Sequence, residues 1–163
     1  MTGNSPDIAS FWRVLSARAI GATVVTAQGE DGPAGFLGLS ASHICAHPPA
    51  MLVSVDAKTS ALTAILYSRH FAINYLAEDA ADVAEAFGGK TELKGADRFR
   101  RGSWGTLTTG APVLDGALGV MDCAVEQTVE YHSTTIVIGR VMDFAVRDQG
   151  QPLIYFRGKL LER

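Results

Sequence analysis

Two neighbouring stretches, residues 120–129 and 134–146, alternate apolar and polar side chains over most of their length. A period of two puts one set of side chains on each face of an extended chain, so both are predicted as strands of one long antiparallel pair. Other extended segments surround them. Residues 22–27 are rich in Val and Thr and run into the turn Gly29-Glu30-Asp31-Gly32-Pro33. Residues 36–42, 51–55, 69–76 and 153–156 read as further strands, and Asp115-Gly116 as a turn.

Three short helices are predicted between the strands. Ser5 is the expected N-cap of the first, with Pro6 in its first turn; Ile8, Phe11, Trp12, Leu15 and Ala19 follow at helical spacing, and Gly21 ends it. Residues 59–67 carry Leu62, Ile65 and Leu66 behind a Thr59 or Ser60 cap, and residues 79–87 start near Asp79. Residues 88–105 hold many charges with weak periodicity and are expected as a long loop of functional or mobile character. Strands dominate without regular βαβ alternation, which predicts a mainly β chain: an antiparallel barrel with helical insertions.

Composition narrows what such a chain does. At 163 residues it is expected to form a single domain over 1–163, and with 47% hydrophobic and 19% charged residues it is globular rather than disordered. A net charge of -3 and the lack of a basic stripe give no reason to expect nucleic acid as a partner. No apolar run approaches the roughly eighteen residues of a membrane span, and the N-terminal stretch lacks the features of a secretory signal. Two isolated cysteines, Cys45 and Cys123, read as reduced thiols, so a cytoplasmic location is expected.

The chemistry concentrates between Gly35 and Asn74. Small and hydroxylated residues (Gly38, Ser40, Ala41, Ser42) precede Pro48-Pro49, a buried-looking strand, and then Asp56-Ala57-Lys58-Thr59-Ser60 where a helix starts. Open N–H groups at a helix start, two hydroxyls and a lysine suit a phosphate, though an ordinary capped helix reads the same way. His43, Cys45 and His47 alternate and would point one way on a strand, but no fourth ligand is evident and Pro48 follows at once; no metal is assigned.

At these residues the chain resembles the flavin reductases, the short reductase components of two-component monooxygenases with an FMN-binding split-barrel fold. The resemblance rests on GATVVTA at 21–27, GFLGLSASHICAHPPAMLVSVD at 35–56, KTSAL at 58–62 and HFAINYLAED at 70–79. It continues through DRF at 97–99, GAPVLDGALGVMDCAVEQ at 110–127, TIVIGRV at 135–141 and PLIYFRG at 152–158, in the family's order. It implies a homodimeric NADH- or NADPH-dependent reductase that binds FMN or FAD and hands reduced flavin to a partner oxygenase. The alternatives it leaves open are reduction of a cobalt corrinoid or ferric chelate, and a non-catalytic flavin- or haem-binding module.

The same resemblance implies roles for individual residues. Leu39, Ser40, Ala41 and Ser42 would meet the polar edge of the flavin ring, and Asp56, Lys58, Thr59 and Ser60 the ribityl chain and phosphate. Asn74 would meet a flavin edge or hold a loop; Arg98 and Phe99 would approach the phosphate or the pyridine nucleotide and the ring; Tyr155 and Arg157 would line the cleft. His132 would neighbour the nicotinamide, although the family's histidine slot is filled here by Thr134, two residues later along the chain. A small barrel with an open split also exposes apolar surface, including Phe11 and Trp12, for a two-fold partner to cover.

Overall fold

The computed structural model describes residue 5 and residues 7–161. Helix α1 (Ile8–Leu15) is capped by Asp7, whose carboxylate accepts the Ser10 N–H at 2.9 Å, rather than by Ser5. A carboxylate outperforms a hydroxyl there because it also meets the positive end of the helix dipole. Hydrogen bonds from the Ser10 side chain, then its backbone, hold the Asp7 carboxyl below its ordinary range. Pro6 lies outside the described residues. The helix also stops earlier than Gly21, and strand β1 (Ile20–Gly21) takes up the end of the expected helical segment.

Strands β2 (Thr23–Gly29) and β3 (Gly32–Leu37) form a hairpin in which Gly29 faces Gly32. The single strand expected over residues 36–42 is instead broken after Leu37, and β4 (Ser42–Ala46) begins a separate run. Gly38 explains the break. Its N–H donates to the Thr23 carbonyl at 2.8 Å and its carbonyl accepts the Thr23 hydroxyl, drawing the backbone onto β2. A Cβ there would lie 2.8 Å from the Val25 side chain, so only glycine fits this close approach.

After β5 (Pro49–Asp56) come α2 (Ser60–Ser68), β6 (His70–Tyr75) and α3 (Ala81–Phe87). The expected loop over residues 88–105 contains a 3-10 helix, Gly95–Arg100, and the start of β7 (Trp104–Thr106). Aromatic burial orders it: the Phe99 ring lies 4.9 Å from Phe87 and 4.8 Å from Trp104. Strand β8 (Pro112–Leu114) pairs with β7, β9 (Gly119–Tyr131) with β10 (Thr134–Val146), and β11 (Ile154–Phe156) with β12 (Lys159–Leu161).

Seven strands make the main sheet in the order β3-β2-β6-β9-β10-β5-β4, every pair antiparallel. Both ends of that order share one core: Ala34 of β3 packs in the same cluster as Met51, Val53 and Val55 of β5, with Leu62 and Ile65 of α2. The sheet is therefore rolled into an open barrel with α2 packed into it, the mainly β antiparallel architecture the alternation predicts. Strand β2 is buried on both faces. Val25 faces that core, while Val24 joins a second cluster with Leu76, Val83, Phe87 and Leu153. This is why apolar and hydroxyl side chains do not alternate along it: Thr23 and Thr26 are buried as well as Val24 and Val25.

Candidate active site

A cleft of about 1000 Å³ lies on the outer side of β5 and β10. Along β5, Met51, Val53 and Val55 point into the core, which leaves Ser54 and Asp56 on the opposite face. Pairing sets Thr134 against Asp56 and Ile136 against Ser54, so the hydroxyls of Ser54 and Thr134 and the Asp56 carboxylate share the cleft floor. Phe36, Leu37, Leu39 and Ser40, from the end of β3 and the crossover, flank it.

The facing wall comes from the two ends of the described chain. Trp12, Arg13, Leu15 and Ser16 of α1 and its cap, then Arg18 and Ile20, stand with Tyr155 and Arg157 from the last hairpin. Three backbone ties make this one unit. Ile20 pairs with Tyr155, the Ala22 N–H donates to the Leu153 carbonyl at 2.7 Å, and the Arg157 N–H donates to the Ser16 carbonyl at 3.0 Å. Arg157 reaches that carbonyl from a left-handed conformation, φ 49°, in the tight turn between β11 and β12.

Six of the residues singled out by sequence line this cleft: Leu39, Ser40, Asp56, Thr59, Tyr155 and Arg157. Ser40 also has structural work. Its hydroxyl donates to the Ser54 carbonyl at 3.2 Å and accepts the Ser54 N–H at 3.3 Å, carrying the β4–β5 ladder across the crossover. Asp56 accepts the Lys58 N–H at 2.8 Å, so its carboxylate bonds a backbone donor and shapes the turn. That turn leads into α2, whose N-cap Thr59 makes no side-chain cap hydrogen bond. In that first turn the Leu62 N–H donates to the Thr59 carbonyl at 3.0 Å, and the exposed Lys58 and Ser60 flank the cleft-lining Thr59 in sequence.

The remaining residues singled out by sequence do not line this cleft. Ala41 packs against the barrel core, and Ser42 lies exposed on edge strand β4 with its hydroxyl on the His43 carbonyl. Asn74 is fully buried. Its amide donates to the Val24 carbonyl at 3.0 Å and the Thr26 hydroxyl at 3.3 Å, and its oxygen accepts the Leu114 N–H at 2.8 Å. Of its two expected roles, the structural one is the one these bonds fill. Arg98 donates to the Leu93 carbonyl and Phe99 sits in the aromatic cluster, so neither lines the cleft of this chain. His132 is the first residue of the β9–β10 turn, exposed, at φ 50°. Strand pairing ends at Thr134 opposite Tyr131, so the alternation by which residues two apart in a strand share a face does not extend to His132. Ser133 and Thr134 occupy the cleft in its place.

Sequence reasoning gave Trp12 to a surface for a two-fold partner, whereas it lines the facing wall, and it missed Arg13 and Arg18 there and Ser54 on the floor. Ser54 left a legible signal, a lone hydroxyl at an alternate position of an otherwise apolar strand. The arginines left none, because one sequence does not say what a terminal helix packs against. His43, Cys45 and His47 meet a register shift between His43 and Cys45, and no group of three metal-ligating side chains gathers among the described residues.

The cleft on this open antiparallel barrel combines floor hydroxyls, apolar flanks and a facing wall with arginines. Residues 16–162 match the model of the flavin reductase like domain, and the chain belongs to that family. A relative from Rhizobium rhizogenes, named FMN reductase (NADH) RutF 2, is 39% identical over 129 residues, covering 77% of this chain and 73% of its own. The solved structure of the flavin reductase PheA2 superimposes with a TM-score of 0.87 at 26% identity, covering 97% of this chain and 99% of its own. BorF, the flavin reductase component of a bacterial two-component tryptophan halogenase, gives a TM-score of 0.86 at 28% identity, covering 95% and 97%.

Proposed function

We propose that this chain is an NADH-dependent FMN reductase whose reduced flavin is used by a separate oxygenase. The observation that carries this reading is the gradation of chemistry along one cleft. Apolar flanks at Phe36, Leu37 and Leu39 suit a planar ring system. The Ser54 and Thr134 hydroxyls on the floor suit its polar edge and the ribityl chain. The uncapped start of α2, with Lys58 beside it, suits a terminal phosphate. These residues fit a flavin mononucleotide in kind and in order.

When bound, the flavin supplies the hydride acceptor. The protein's part is to position and to shield. Asp56 keeps the turn in the shape that presents Lys58 and the α2 N–H groups together. Tyr155 and Trp12 on the facing wall cover the cleft opposite the barrel, leaving space between the walls for a nicotinamide ring. Hydride transfer asks for no general base, which agrees with a lining that contains hydroxyls and arginines but no histidine.

Two features of the assembly belong to the same proposal. Ile8, Phe11 and Val14 of α1 are 77%, 53% and 73% exposed and do not line the cleft. That apolar strip is what a homodimer would cover. An oxygenase partner is supported by BorF, a neighbour that serves as a reductase component. Among the described residues no helix is long and apolar enough to cross a membrane.

Anaerobic titration tests the reading. Purified protein should bind FMN, and NADH should then bleach the oxidised flavin's visible absorbance with turnover. Flavin binding with neither NADH nor NADPH oxidised would support the binding-module reading, and absence of both binding and oxidation would end the reductase assignment.

A further inference from the structure

His132 is exposed and lines no part of the cleft, yet its backbone is left-handed, at φ 50°. Tyr131 and Thr134 are the last cross-strand pair of β9 and β10, so His132 and Ser133 are the two central residues of the hairpin turn. Only the first is left-handed: among the described residues, positive φ outside glycine occurs at Arg69, His132 and Arg157 alone. Two-residue hairpin turns with that pattern favour glycine at the first central position. Histidine is among the few other residues that enter this region with some frequency, whereas a β-branched residue there is an outlier. The imidazole makes no hydrogen bond or ion pair among the described residues, and its ring lies edge-on to Tyr131 at 4.5 Å and 90°. The side chain gives no reason for the residue; the backbone does.

That turn is tied to the cleft floor. The β10–β5 ladder ends at Thr134 opposite Asp56, and the Ser133 carbonyl then accepts the Ala57 N–H at 2.8 Å. Ala57 is the first central residue of a tight turn that the Thr59 N–H closes on the Asp56 carbonyl at 2.9 Å. Asp56, Thr59, Ser133 and Thr134 all line the cleft. Two turns from distant parts of the chain are thus joined by one backbone hydrogen bond, beside the place given to the flavin's phosphate. Little else fixes this end of the hairpin. Strand β6 pairs with β9 only as far as Ala124, and residues 127–131, exposed throughout, pair with β10 alone.

We infer that His132 is a positioning residue. Its left-handed backbone shapes the hairpin turn so that the Ser133 carbonyl holds the 56–59 turn, and Lys58 with it, in place for the phosphate. The imidazole itself takes no part. The inference rests on the flavin reductase reading and deepens it. Deforming the hairpin turn lets the 56–59 turn shift, and only the phosphate end of the ligand senses the change.

Fluorescence titrations with FMN and with riboflavin, which lacks the phosphate, test it. His132→Val puts a β-branched residue at positive φ. Ala57→Pro deletes the N–H that bonds Ser133 while suiting its own turn position, so it cuts the same tie without touching the hairpin. Each should raise the Kd for FMN about tenfold, with the riboflavin Kd and kcat at saturating FMN staying within about twofold. His132→Gly and His132→Asn keep the left-handed backbone accessible and should match the original protein within about twofold. Should His132→Val not fold, Ala57→Pro decides alone. An FMN Kd unmoved by Ala57→Pro overturns the proposal, as does an equal rise for FMN and riboflavin. So does a loss in His132→Gly and His132→Asn as large as in His132→Val, which would show the imidazole acting itself. Failure of the parent reading looks different: the unaltered protein would bind FMN no more tightly than riboflavin, or bind neither.

Discussion

The barrel interior and the terminal wall of the cleft differ in what holds their side chains. Inside, every polar group is committed: Asn74 makes three hydrogen bonds, and fully buried Asp122 accepts both the N–H and the hydroxyl of Thr109. No buried side-chain nitrogen or oxygen among the described residues lacks a partner. On the α1 wall, by contrast, Trp12, Arg13 and Arg18 are exposed and their polar groups are uncommitted. The difference separates residues that make the fold from residues available to a ligand. Asn74 and Asp122 have motif-like side chains and are spent on the structure; the arginines belong to no motif and are free to act.

Substitutions test that division. Asn74→Ala should have the largest effect, lowering unfolding free energy by roughly 3–5 kcal/mol, because the buried Val24 carbonyl and Leu114 N–H lose the amide that pairs them, while the Thr26 hydroxyl keeps only the Pro112 carbonyl. Chemical denaturation measures it; a loss under 1 kcal/mol would show that the amide is not the pin its hydrogen bonds suggest. Gly139→Ala comes next. Its Cβ would lie 2.5 Å from Phe71 and 2.9 Å from the Cys123 Cβ, inside the core. Overpacking of that kind should cost about 1–3 kcal/mol, read as a lowered denaturation midpoint.

At the cleft the expected effects move from stability to binding. Lys58→Ala should weaken FMN affinity by about 1–3 kcal/mol with the denaturation midpoint nearly unchanged, since the side chain is exposed. Fluorescence titration with FMN checks this, and an unaltered Kd would remove Lys58 from the phosphate site. Ser40→Ala sits on the border between the two regions, because its hydroxyl both bridges to Ser54 and lines the cleft. A loss of about 1 kcal/mol in stability is expected from the severed bridge. If FMN affinity falls while stability holds, Ser40 belongs with the ligand residues instead.

The smallest signal is chemical. Burial, and then the adjacent Asp122 carboxylate, push the Cys123 thiol up to about 12, whereas Cys45 is exposed. Alkylation of the folded protein near neutral pH should therefore modify one thiol per chain, with the second appearing only on unfolding. Because the folded value lies above the unfolded one of 9.0, the thiol's contribution to stability is complete below that pH and is lost as pH rises toward about 12. Two equally reactive thiols in the folded protein would show that this part of the core opens readily.

The alternation of residues 120–129 and 134–146, the Val- and Thr-rich strand at 22–27 and the helix start after Asp56 were all legible in the sequence, as was the antiparallel barrel they build. They are local patterns, set by side-chain period and by the hydrogen bonds a helix start leaves open, and tertiary context had little to change. The fates of Asn74, Arg98, Phe99 and His132 could not be read the same way. An amide, an arginine or a histidine suits a core pin, a solvated surface or a ligand equally, and only the partners around it decide. The cleft's second wall was decided by tertiary structure alone. It exists because pairing of β1 with β11 brings Trp12, Arg13 and Arg18 opposite β5, across more than thirty residues of chain.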